Sequence, residues 1–244
     1  MLAVIGGSGL TKLSSLDVTR REVVRTPYGE PSGALTFGRI GCQEIVFLAR
    51  HGYGHTIPPH RVNYRANIWA LSQAAGADRI VSVASVGGIR ADLAPGMVVV
   101  PHQIVDYTWG RDVTFHEGGG QVVHIDFTEP YDSSLRQQLL AAAGRAAEPV
   151  TDGAVYAVTQ GPRLETAAEI NRYERDGADV VGMTAMPEAS LARELGIAYA
   201  SVCLVANWAA GRGDSARQIR FESIEEVLQE SLGRVRHIIE HLCQ

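Results

Sequence analysis

Four short segments of this sequence combine residue types that suit the binding of an anion. Small residues let backbone N–H groups approach an oxyanion, an Arg offers a guanidinium fork, and a helix N-terminus attracts negative charge. Each segment lies at the carboxyl end of a predicted strand, the edge at which open α/β sheets bind ligands. Because no cluster of Mg²⁺-binding carboxylates accompanies them, the pattern predicts a site for free phosphate rather than for a nucleoside triphosphate. The segments are Gly6-Gly7-Ser8-Gly9, Ala49-Arg50-His51-Gly52, Ala84-Ser85-Val86-Gly87-Gly88 and Met183-Thr184.

The better-known motifs of nucleotide binding and nucleophilic catalysis are incomplete. Gly7-Ser8-Gly9 resembles the start of a dinucleotide-binding turn, but Lys12 occupies the place of its third small residue. No P-loop is present, and neither Ser8 nor Ser85 has the pair of glycines of a G-x-S-x-G elbow. The sequence therefore disfavours a dinucleotide site and a serine nucleophile.

Three histidines, His51, His55 and His60, lie close enough in sequence to be considered as metal ligands. They occur in a loop containing Gly and Pro rather than on one helix face, and no Cys or carboxylate lies nearby in sequence. Zinc sites usually need such additional ligands in a defined spacing. We therefore expect no metal site.

Length, composition and charge limit the classes of protein further. The 244 residues are 45% hydrophobic and 20% charged, and no linker or repeat divides them, so we expect one domain over residues 1–244. The net charge of −5 argues against a nucleic-acid binder, and no apolar run reaches the ~18–20 residues of a membrane span. Three widely separated cysteines form no disulfide framework, which favours a cytoplasmic location.

Short runs rich in β-branched residues alternate with helical patterns, which predicts an α/β fold. Helices are predicted at Val62–Ala75, from a capping box at Thr166, after Met186-Pro187, and from a second capping box at Ser223. The Gly-rich segment Thr108–Asp126 is too long for an ordinary connection, and we expect it to be mobile or held by a partner subunit. The predicted strands are Leu2–Ile5, Glu44–Leu48, Arg79–Ala84, Met97–Val100, Ala154–Thr159, Val180–Met183 and Ile197–Leu204.

Five motifs, in order along the chain, resemble those of the purine nucleoside phosphorylase and methylthioadenosine phosphorylase family. The resemblance implies a single α/β domain with a central mixed β-sheet flanked by helices. It also implies phosphorolysis of a purine nucleoside to free base and pentose 1-phosphate, with inorganic phosphate as co-substrate and no cofactor. The motifs are Gly6-Gly7-Ser8-Gly9-Leu10, Arg50-His51-Gly52-x-x-His55-Thr56, Val62-Asn63-Tyr64-x-Ala66-Asn67-Ile68-Trp69-Ala70-Leu71, Gly161-Pro162-Arg163 and Gly182-Met183-Thr184-x-x-Pro187-Glu188.

The resemblance places most of the anion-suited residues at the phosphate. It implies that the backbone of Val86 assists there, that Met183 lies under the ribose, and that Gly88 is close to the substrate. The phosphate ligands it implies are Ser8, Arg50, His51, Ser85 and Thr184. The catalytic residues expected on the same basis are Ser8, His51 and Asn207.

Two positions favour a 6-oxopurine as the base. Relatives that prefer 6-aminopurines carry Asp at the positions of Asn207 and Ala209, whereas an Asn amide donates to O6 and accepts from N7–H. Glu165 matches the Glu with which 6-oxopurine members accept N1–H. We expect hypoxanthine, with guanine left open and adenine disfavoured. Leu164 also belongs to the base site that the resemblance implies, but it departs from the aromatic residue often found there, so we expect weaker stacking on the base.

The 5′ end of the nucleoside separates the subfamilies. Members that use unmodified nucleosides bind the 5′-hydroxyl with a His at the start of the last helix, where this chain has Ile224 and Val227. An apolar wall suits a thioether and leaves a hydroxyl poorly paired, although both residues could simply begin the apolar stripe of the helix. His124 matches a residue donated to this pocket across a subunit contact, which implies a homotrimer.

The resemblance therefore leads to phosphate-dependent cleavage of S-methyl-5′-thioinosine to hypoxanthine and 5-methylthioribose 1-phosphate. The nearest alternative is a general inosine/guanosine phosphorylase, followed by a methylthioadenosine phosphorylase with an altered base site. A non-catalytic nucleotide-binding protein is the alternative from another class. In each case we expect small-molecule ligands and no nucleic acid or membrane as partner.

Overall fold

A computed structural model describes residues 1–10, 13–118 and 120–244, so the comparison at Lys12 lies outside the described residues. Eleven strands of the described chain form one mixed sheet, and five α-helices flank it, which confirms the predicted fold class. The strands are β1 (Leu2–Gly6), β2 (Asp17–Glu22), β3 (Leu35–Ile40), β4 (Gln43–Ala49), β5 (Arg79–Gly88), β6 (Val98–Val100), β7 (Gln103–Asp106), β8 (Val150–Asp152), β9 (Val155–Val158), β10 (Val180–Gly182) and β11 (Ala198–Trp208). The helices are α1 (Tyr64–Trp69), α2 (Ser133–Arg145), α3 (Ala167–Arg175), α4 (Ala185–Glu194) and α5 (Phe221–Leu242).

Strand β5 is the branch point of the sheet. Strand β11 pairs in parallel with it from Arg79 to Gly88 and fills one edge. The other edge is shared by β1, which pairs as far as Ser82, and by antiparallel β10, which pairs at Gly87 and Gly88. In the described chain no strand covers residues 83–86 on this shared edge. The topology therefore leaves a gap beside the middle of the sheet.

Both faces of the sheet are covered by helices. Alternate residues of β1 enter two different cores, Ala3 and Ile5 on one face and Leu2 and Val4 on the other. Helices α1 and α4 pack on the first face, and α2 and α5 pack on the second. Strands buried on both faces consist of continuous apolar runs, which is why the sequence predicted these central strands correctly.

All seven predicted strands occur, and two of them extend four residues beyond their predicted carboxyl ends. Strand β5 continues to Gly88, so Ser85 and Val86 lie within the strand rather than after it, and β11 continues to Trp208. Strands β2, β3, β7 and β8 and helix α2 were not predicted. In β2 all six residues are exposed, so no apolar pattern marks it.

Helices α1 and α3 agree with the sequence in different degrees. The predicted helix Val62–Ala75 is divided into α1 and a π-helical turn at Ala70–Ala74. In α3 the hydroxyl of Thr166 accepts from the backbone N–H of Glu169, whose side chain accepts from the backbone of Thr166 in return. The capping box predicted for α3 is confirmed because it depends only on neighbouring residues.

The starts of α4 and α5 differ from the prediction. Met186 and Pro187 have non-helical angles, so regular helical geometry in α4 begins at Glu188 and Pro187 is not its first helical residue. Helix α5 begins at Phe221, one turn before expected, and Ser223 lies inside it. The predicted capping box at Ser223 is therefore wrong. None of the described helices combines the length and apolar character needed to cross a membrane.

The segment between β7 and α2 is held by its own chain over much of its first half. Arg65 of α1 forms ion pairs with Asp112 and Glu117 at 2.6 and 2.7 Å. The backbone N–H of Phe115 donates to the Glu194 carboxylate at 2.8 Å. Contacts within the chain therefore hold part of residues 108–117. The sequence had led us to expect that this segment is either mobile or held by a partner subunit.

Candidate active site

A cleft of about 470 Å³ opens at the gap beside β5. The ends of β1 and β4, the loops after β9 and β10, the end of β11 and the start of α5 surround it. This volume is typical of sites for small molecules. Twelve of the residues singled out in the sequence line it, although they are widely separated along the chain. They are Ser8, Arg50, His51, Ser85, Val86, Leu164, Glu165, Met183, Thr184, Asn207, Ala209 and Ile224.

Three other predicted site residues do not line this cleft. Gly88 packs against the backbone of Leu93, whose carbonyl oxygen would lie 2.1 Å from a Cβ at that position. Val227 lines a second, neighbouring cleft, which shares Ala206 and Asn207 with the first. His124 is exposed, and within its own chain it is not part of the cleft lining.

Arg50 is held by a buried carboxylate that the sequence analysis did not assign to the site. The Nε and Nη2 atoms of Arg50 donate to the two oxygens of Glu188 at 2.7 and 2.9 Å, and both side chains are 0% exposed. The hydroxyls of Ser82 and Tyr199 also donate to Glu188, each at 2.8 Å. An isolated acidic residue in the apolar run Met186–Ala192 was the available signal.

The contacts of Arg50 determine how much of its guanidinium is free. Nη2 also donates to the Ser82 hydroxyl and Nη1 to the Val83 carbonyl, so four of its five N–H groups have partners. Burial by itself would lower the pKa of Arg50, but the charge and hydrogen bonds of Glu188 outweigh it and raise the pKa. Within the described part of the chain, one N–H of Nη1, beside Gly7, has no hydrogen-bond partner, and Arg50 lines the cleft.

His51 is a neutral hydrogen-bond acceptor on the side of the cleft. Its Nδ1 lies 2.8 Å from the carbonyl oxygen of Ile57, and because a carbonyl only accepts, Nδ1 carries the proton. Burial and then the charge of Arg50 lower the pKa of His51 to about 4. The imidazole is therefore uncharged near neutral pH, and its Nε2 accepts rather than donates.

His51→Gln is expected to make the stability less sensitive to acid. The unfolded chain protonates His51 below pH 6.5, whereas the folded chain does so only near pH 4, so stability from this group is lost as the pH falls through this window. The loss amounts to about 3 kcal/mol in the free energy of unfolding. Urea unfolding of both proteins from pH 7 to pH 4 measures it. If the free energy of unfolding depends on pH in the same way in both proteins, folded His51 is already protonated at pH 6.

The histidine cluster gives no support for a metal. The rings of His51 and His55 lie 4.7 Å apart, and both residues line the cleft, whereas His60 does not. Among the residues that the structure describes, no three His, Cys, Asp or Glu side chains are placed to hold a metal ion.

Thr184 reaches the cleft from an irregular turn rather than from the start of a helix. It is the N-cap of α4, but its side chain makes no capping hydrogen bond. Because regular helix begins only at Glu188, the expected anion site at a helix N-terminus directly after Thr184 is wrong. The Thr184 hydroxyl itself, which is nearly buried, is available to a ligand.

Glu165 and Asn207 lie at a different part of the cleft. The hydroxyl of Thr159 donates to Oε1 of Glu165 at 2.7 Å, and burial raises the pKa of Glu165 above its usual range. Asn207 donates through Nδ2 to the Trp208 carbonyl at 2.7 Å, which leaves one N–H and Oδ1. A β-bulge between Val205 and Asn207 directs both Ala206 and Asn207 into the cleft.

Ala209 makes an apolar rather than a polar contribution to this part of the site. It is almost fully buried in a cluster with Ile89, Ile170 and Val181. A carboxylate at this position would be desolvated by these neighbours.

The apolar wall of the cleft differs from the predicted pair. Phe221, Ile224 and Leu228 line it, whereas Val227 lines the neighbouring cleft. Positions three and four apart share a helix face, so an earlier helix start in the sequence analysis would have identified Phe221 and Leu228. Phe221 is 64% exposed, which leaves this end of the cleft open.

Comparisons with known proteins agree with this geometry. The family model of the Phosphorylase superfamily matches residues 1–244. A probable S-methyl-5′-thioinosine phosphorylase of Pseudomonas syringae pv. tomato is 52% identical over 235 residues, 96% of this chain and 94% of the relative. A 6-oxopurine nucleoside phosphorylase of Pyrococcus furiosus is 45% identical, over 94% of this chain and 86% of the relative.

A solved structure points in the same direction. Methylthioadenosine phosphorylase from Schistosoma mansoni, in complex with adenine, is similar with a TM-score of 0.94 at 33% identity, covering 99% of this chain and 90% of the other. By its sequence, its mixed sheet and its cleft, this chain belongs to the phosphorylase superfamily.

Proposed function

We propose that this chain is a pentosyltransferase that cleaves S-methyl-5′-thioinosine with phosphate to hypoxanthine and 5-methylthioribose 1-phosphate. One observation carries the proposal: a single cleft joins an anion-suited part at Arg50, a polar part at Glu165 and Asn207, and an apolar wall at Ile224. These three parts match the phosphate, the base and the 5′ group of that substrate pair. The relative in Pseudomonas syringae is named for the same nucleoside.

Phosphate binds between five side chains of this cleft: those of Ser8, Arg50, His51, Ser85 and Thr184. The hydroxyls and the free N–H of Arg50 donate to phosphate oxygens, with the backbone of Val86 assisting. The neutral His51 accepts the P–OH hydrogen, which selects monohydrogen phosphate. A phosphate oxygen then forms the new bond to C1′ on the face opposite the base, while the glycosidic bond breaks and its electron pair leaves with the purine.

The purine binds between Glu165 and Asn207. Oε2 of Glu165 accepts N1–H, while Oε1 is occupied by Thr159. Asn207 donates to O6 through its remaining N–H, and its Oδ1 accepts N7–H once N7 takes up a proton from water as the glycosidic bond breaks. The hydrogen bond donated to O6 and the proton on N7 offset the negative charge that the departing base acquires, so the base leaves as neutral hypoxanthine. Adenine would place an unprotonated N1 against the Glu165 carboxylate, which disfavours it.

Ile224→His is expected to shift preference from S-methyl-5′-thioinosine toward inosine. Removing an apolar contact and adding a partner for a hydroxyl should change the ratio of kcat/KM values by about 10–200-fold. Val227→His is a matched control, since Val227 is one turn along the helix but faces the second cleft. Steady-state kinetics with both nucleosides measures the ratio. Equal ratios in the two variants would show that Ile224 is only a core residue.

The proposed assembly and location follow from residues outside the cleft. His124 is exposed and outside the cleft of its own chain, which fits donation to the 5′ pocket of a neighbour in a homotrimer. A reducing cytoplasm suits the three free cysteines. Sedimentation equilibrium tests the assembly: a trimer mass supports it, and a monomer mass at assay concentration contradicts the role of His124.

The proposed reaction is tested by measuring the release of free base with and without phosphate. The three nucleosides to compare are S-methyl-5′-thioinosine, S-methyl-5′-thioadenosine and inosine. We expect the highest kcat/KM for S-methyl-5′-thioinosine, and no turnover without phosphate. A higher value for S-methyl-5′-thioadenosine would contradict the roles of Glu165 and Asn207. Base release that does not depend on phosphate would contradict phosphorolysis itself.

A general 6-oxopurine nucleoside phosphorylase is the second candidate. The exposure of Phe221 favours it, because an open 5′ end admits a solvated hydroxyl. The relative in Pyrococcus furiosus is named for this activity. Inosine turned over as well as S-methyl-5′-thioinosine in the same assay would select it.

A further inference from the structure

Two loops of the cleft pack tightly against each other. The loop after β9, residues 159–165, carries Leu164 and Glu165, and the turn after β10, residues 183–187, carries Met183 and Thr184. A Cβ placed on Gly161 would lie 2.5 Å from Sδ of Met183, so a larger residue there would displace the Met183 side chain. The distance between the base and phosphate parts of the site therefore depends on how these loops are held together.

Arg111 links the two loops through their backbone carbonyls. Nη1 donates to the carbonyl oxygen of Met183 at 2.9 Å and also to that of Met186. Nη2 donates to the carbonyl oxygens of Thr159 and Gln160 at 3.2 and 2.9 Å, and Nε donates to the Gln160 side chain at 3.1 Å. One planar guanidinium thus bridges both loops at once.

Arg111 has no carboxylate partner among the residues that the structure describes. Its other contacts are the Tyr64 hydroxyl at 3.2 Å and the face of the Tyr64 ring. A cation surrounded by carbonyl oxygens and an aromatic ring is bound by the geometry of its hydrogen bonds rather than by an ion pair. Such an arrangement is suited to holding the two loops at a fixed distance from each other.

Arg65 provides a contrast within the same region. It pairs with Asp112 and Glu117 and donates to the carbonyl of Thr114, so it anchors the segment that carries Arg111. Its hydrogen bonds and ion pairs do not include either loop of the cleft. Replacing Arg65 therefore tests the effect of losing the anchor of this segment. Replacing Arg111 tests the effect of losing the link between the two loops.

We propose that Arg111 is a positioning residue, which sets the spacing between the base-binding loop and the turn that binds ribose and phosphate. The inference rests on the proposed function of the cleft, because it assigns these two loops to the two substrates. Arg111 itself touches neither substrate. Without it, nucleoside and phosphate still find their separate contacts, but the attacking oxygen and C1′ lose their alignment.

Comparison of Arg111→Met with Arg65→Met tests this proposal. We expect Arg111→Met to lower kcat by about 100-fold, since small displacements of reacting groups have effects of this size. Its KM values should change much less than kcat. Arg65→Met removes partly exposed ion pairs and should lower kcat by no more than about fivefold. Thermal melting and near-ultraviolet circular dichroism verify that both variants are folded at the assay temperature.

Rescue of Arg111→Ala by added methylguanidinium provides a second readout. We expect kcat to rise with methylguanidinium and not with the same concentration of methylammonium, while Arg65→Ala does not respond. A folded Arg111→Met variant with the kcat of the unchanged protein would overturn the proposal, as would equal losses in the two Met variants. If Arg111→Met does not fold, Arg111→Lys is the test, and full activity with Lys would overturn the bridge.

The unchanged protein separates failure of this inference from failure of the proposed function. If it cleaves none of the nucleosides, the proposed function fails. In that case calorimetric titration with hypoxanthine and with phosphate tests the bridge. We then expect either ligand to bind Arg111→Met, but binding of one no longer to affect the other. The proposal would be overturned if phosphate changed the affinity of Arg111→Met for hypoxanthine as much as it changes that of the unchanged protein.

Discussion

Glu188→Ala is expected to lower the free energy of unfolding by about 3–5 kcal/mol, because it leaves a buried guanidinium without its counter-charge. Glu188 and Arg50 are both 0% exposed, and two hydroxyls also lose their acceptor. The freed Arg50 should turn toward other acceptors, which moves its remaining N–H away from phosphate. Urea unfolding and the KM for phosphate measure the two effects.

Two further variants test whether the effects of Glu188→Ala come from the unpaired charge on Arg50. The double variant Arg50→Met with Glu188→Leu removes both charges, so stability should largely return while phosphate binding does not. Glu44→Ala breaks an exposed pair with Arg39 and should cost less than 1 kcal/mol. If Glu188→Ala is as stable as Glu44→Ala and keeps its KM for phosphate, Glu188 does not hold Arg50 in place.

Glu165→Gln is expected to lower kcat/KM for S-methyl-5′-thioinosine by about 100-fold, the effect of losing a charged partner for N1–H. The amide keeps the size of the side chain, so the cleft should keep its shape. The value for S-methyl-5′-thioadenosine should stay level or rise, because an amide can donate to its unprotonated N1. Parallel kinetics with the two nucleosides measures the change in their ratio.

The pH profile gives an independent reading of the same carboxylate. Burial raises the pKa of Glu165, so in the unchanged protein kcat/KM should fall on acidification at a pH above the usual range for Glu. With monohydrogen phosphate kept saturating at each pH, Glu165→Gln should remove this acidic limb. An acidic limb that persists in the variant would assign it to another group. Thr159→Val removes the hydroxyl that donates to Oε1 and should give a smaller loss than Glu165→Gln.

Predictions of helix starts from neighbouring residues were right at one helix and wrong at another. The capping box at Thr166 and Glu169 needs only one helical turn, and α3 begins there. The prediction for α5 failed although Ser223 and Glu226 form the same pattern, because the chain is already helical from Phe221. A local motif marks a possible helix start, and contacts elsewhere in the fold decide whether it is used.

The composition of the cleft was largely predictable, but its internal contacts were not. The residue types in the short segments around Ser8, Arg50 and Thr184 indicate anion binding, and the sheet brings these segments together at one edge, where they line the cleft. Arg111 gave no comparable signal, and Glu188 belonged to a family motif without an assigned role. Their importance arises from partners 138 and about 50–75 positions away along the chain.

The sequence by itself determined the α/β class, the central strands, the family and most of the cleft residues. These depend on apolar runs, local turns and motifs that are complete within a few residues. Only the tertiary structure decided that Val227 lines a neighbouring cleft, that Phe221 completes the apolar wall of the first, and that Glu188 neutralises Arg50. The physical reason is that side-chain direction and burial depend on the start of a helix, the position of a bulge and the packing of distant elements.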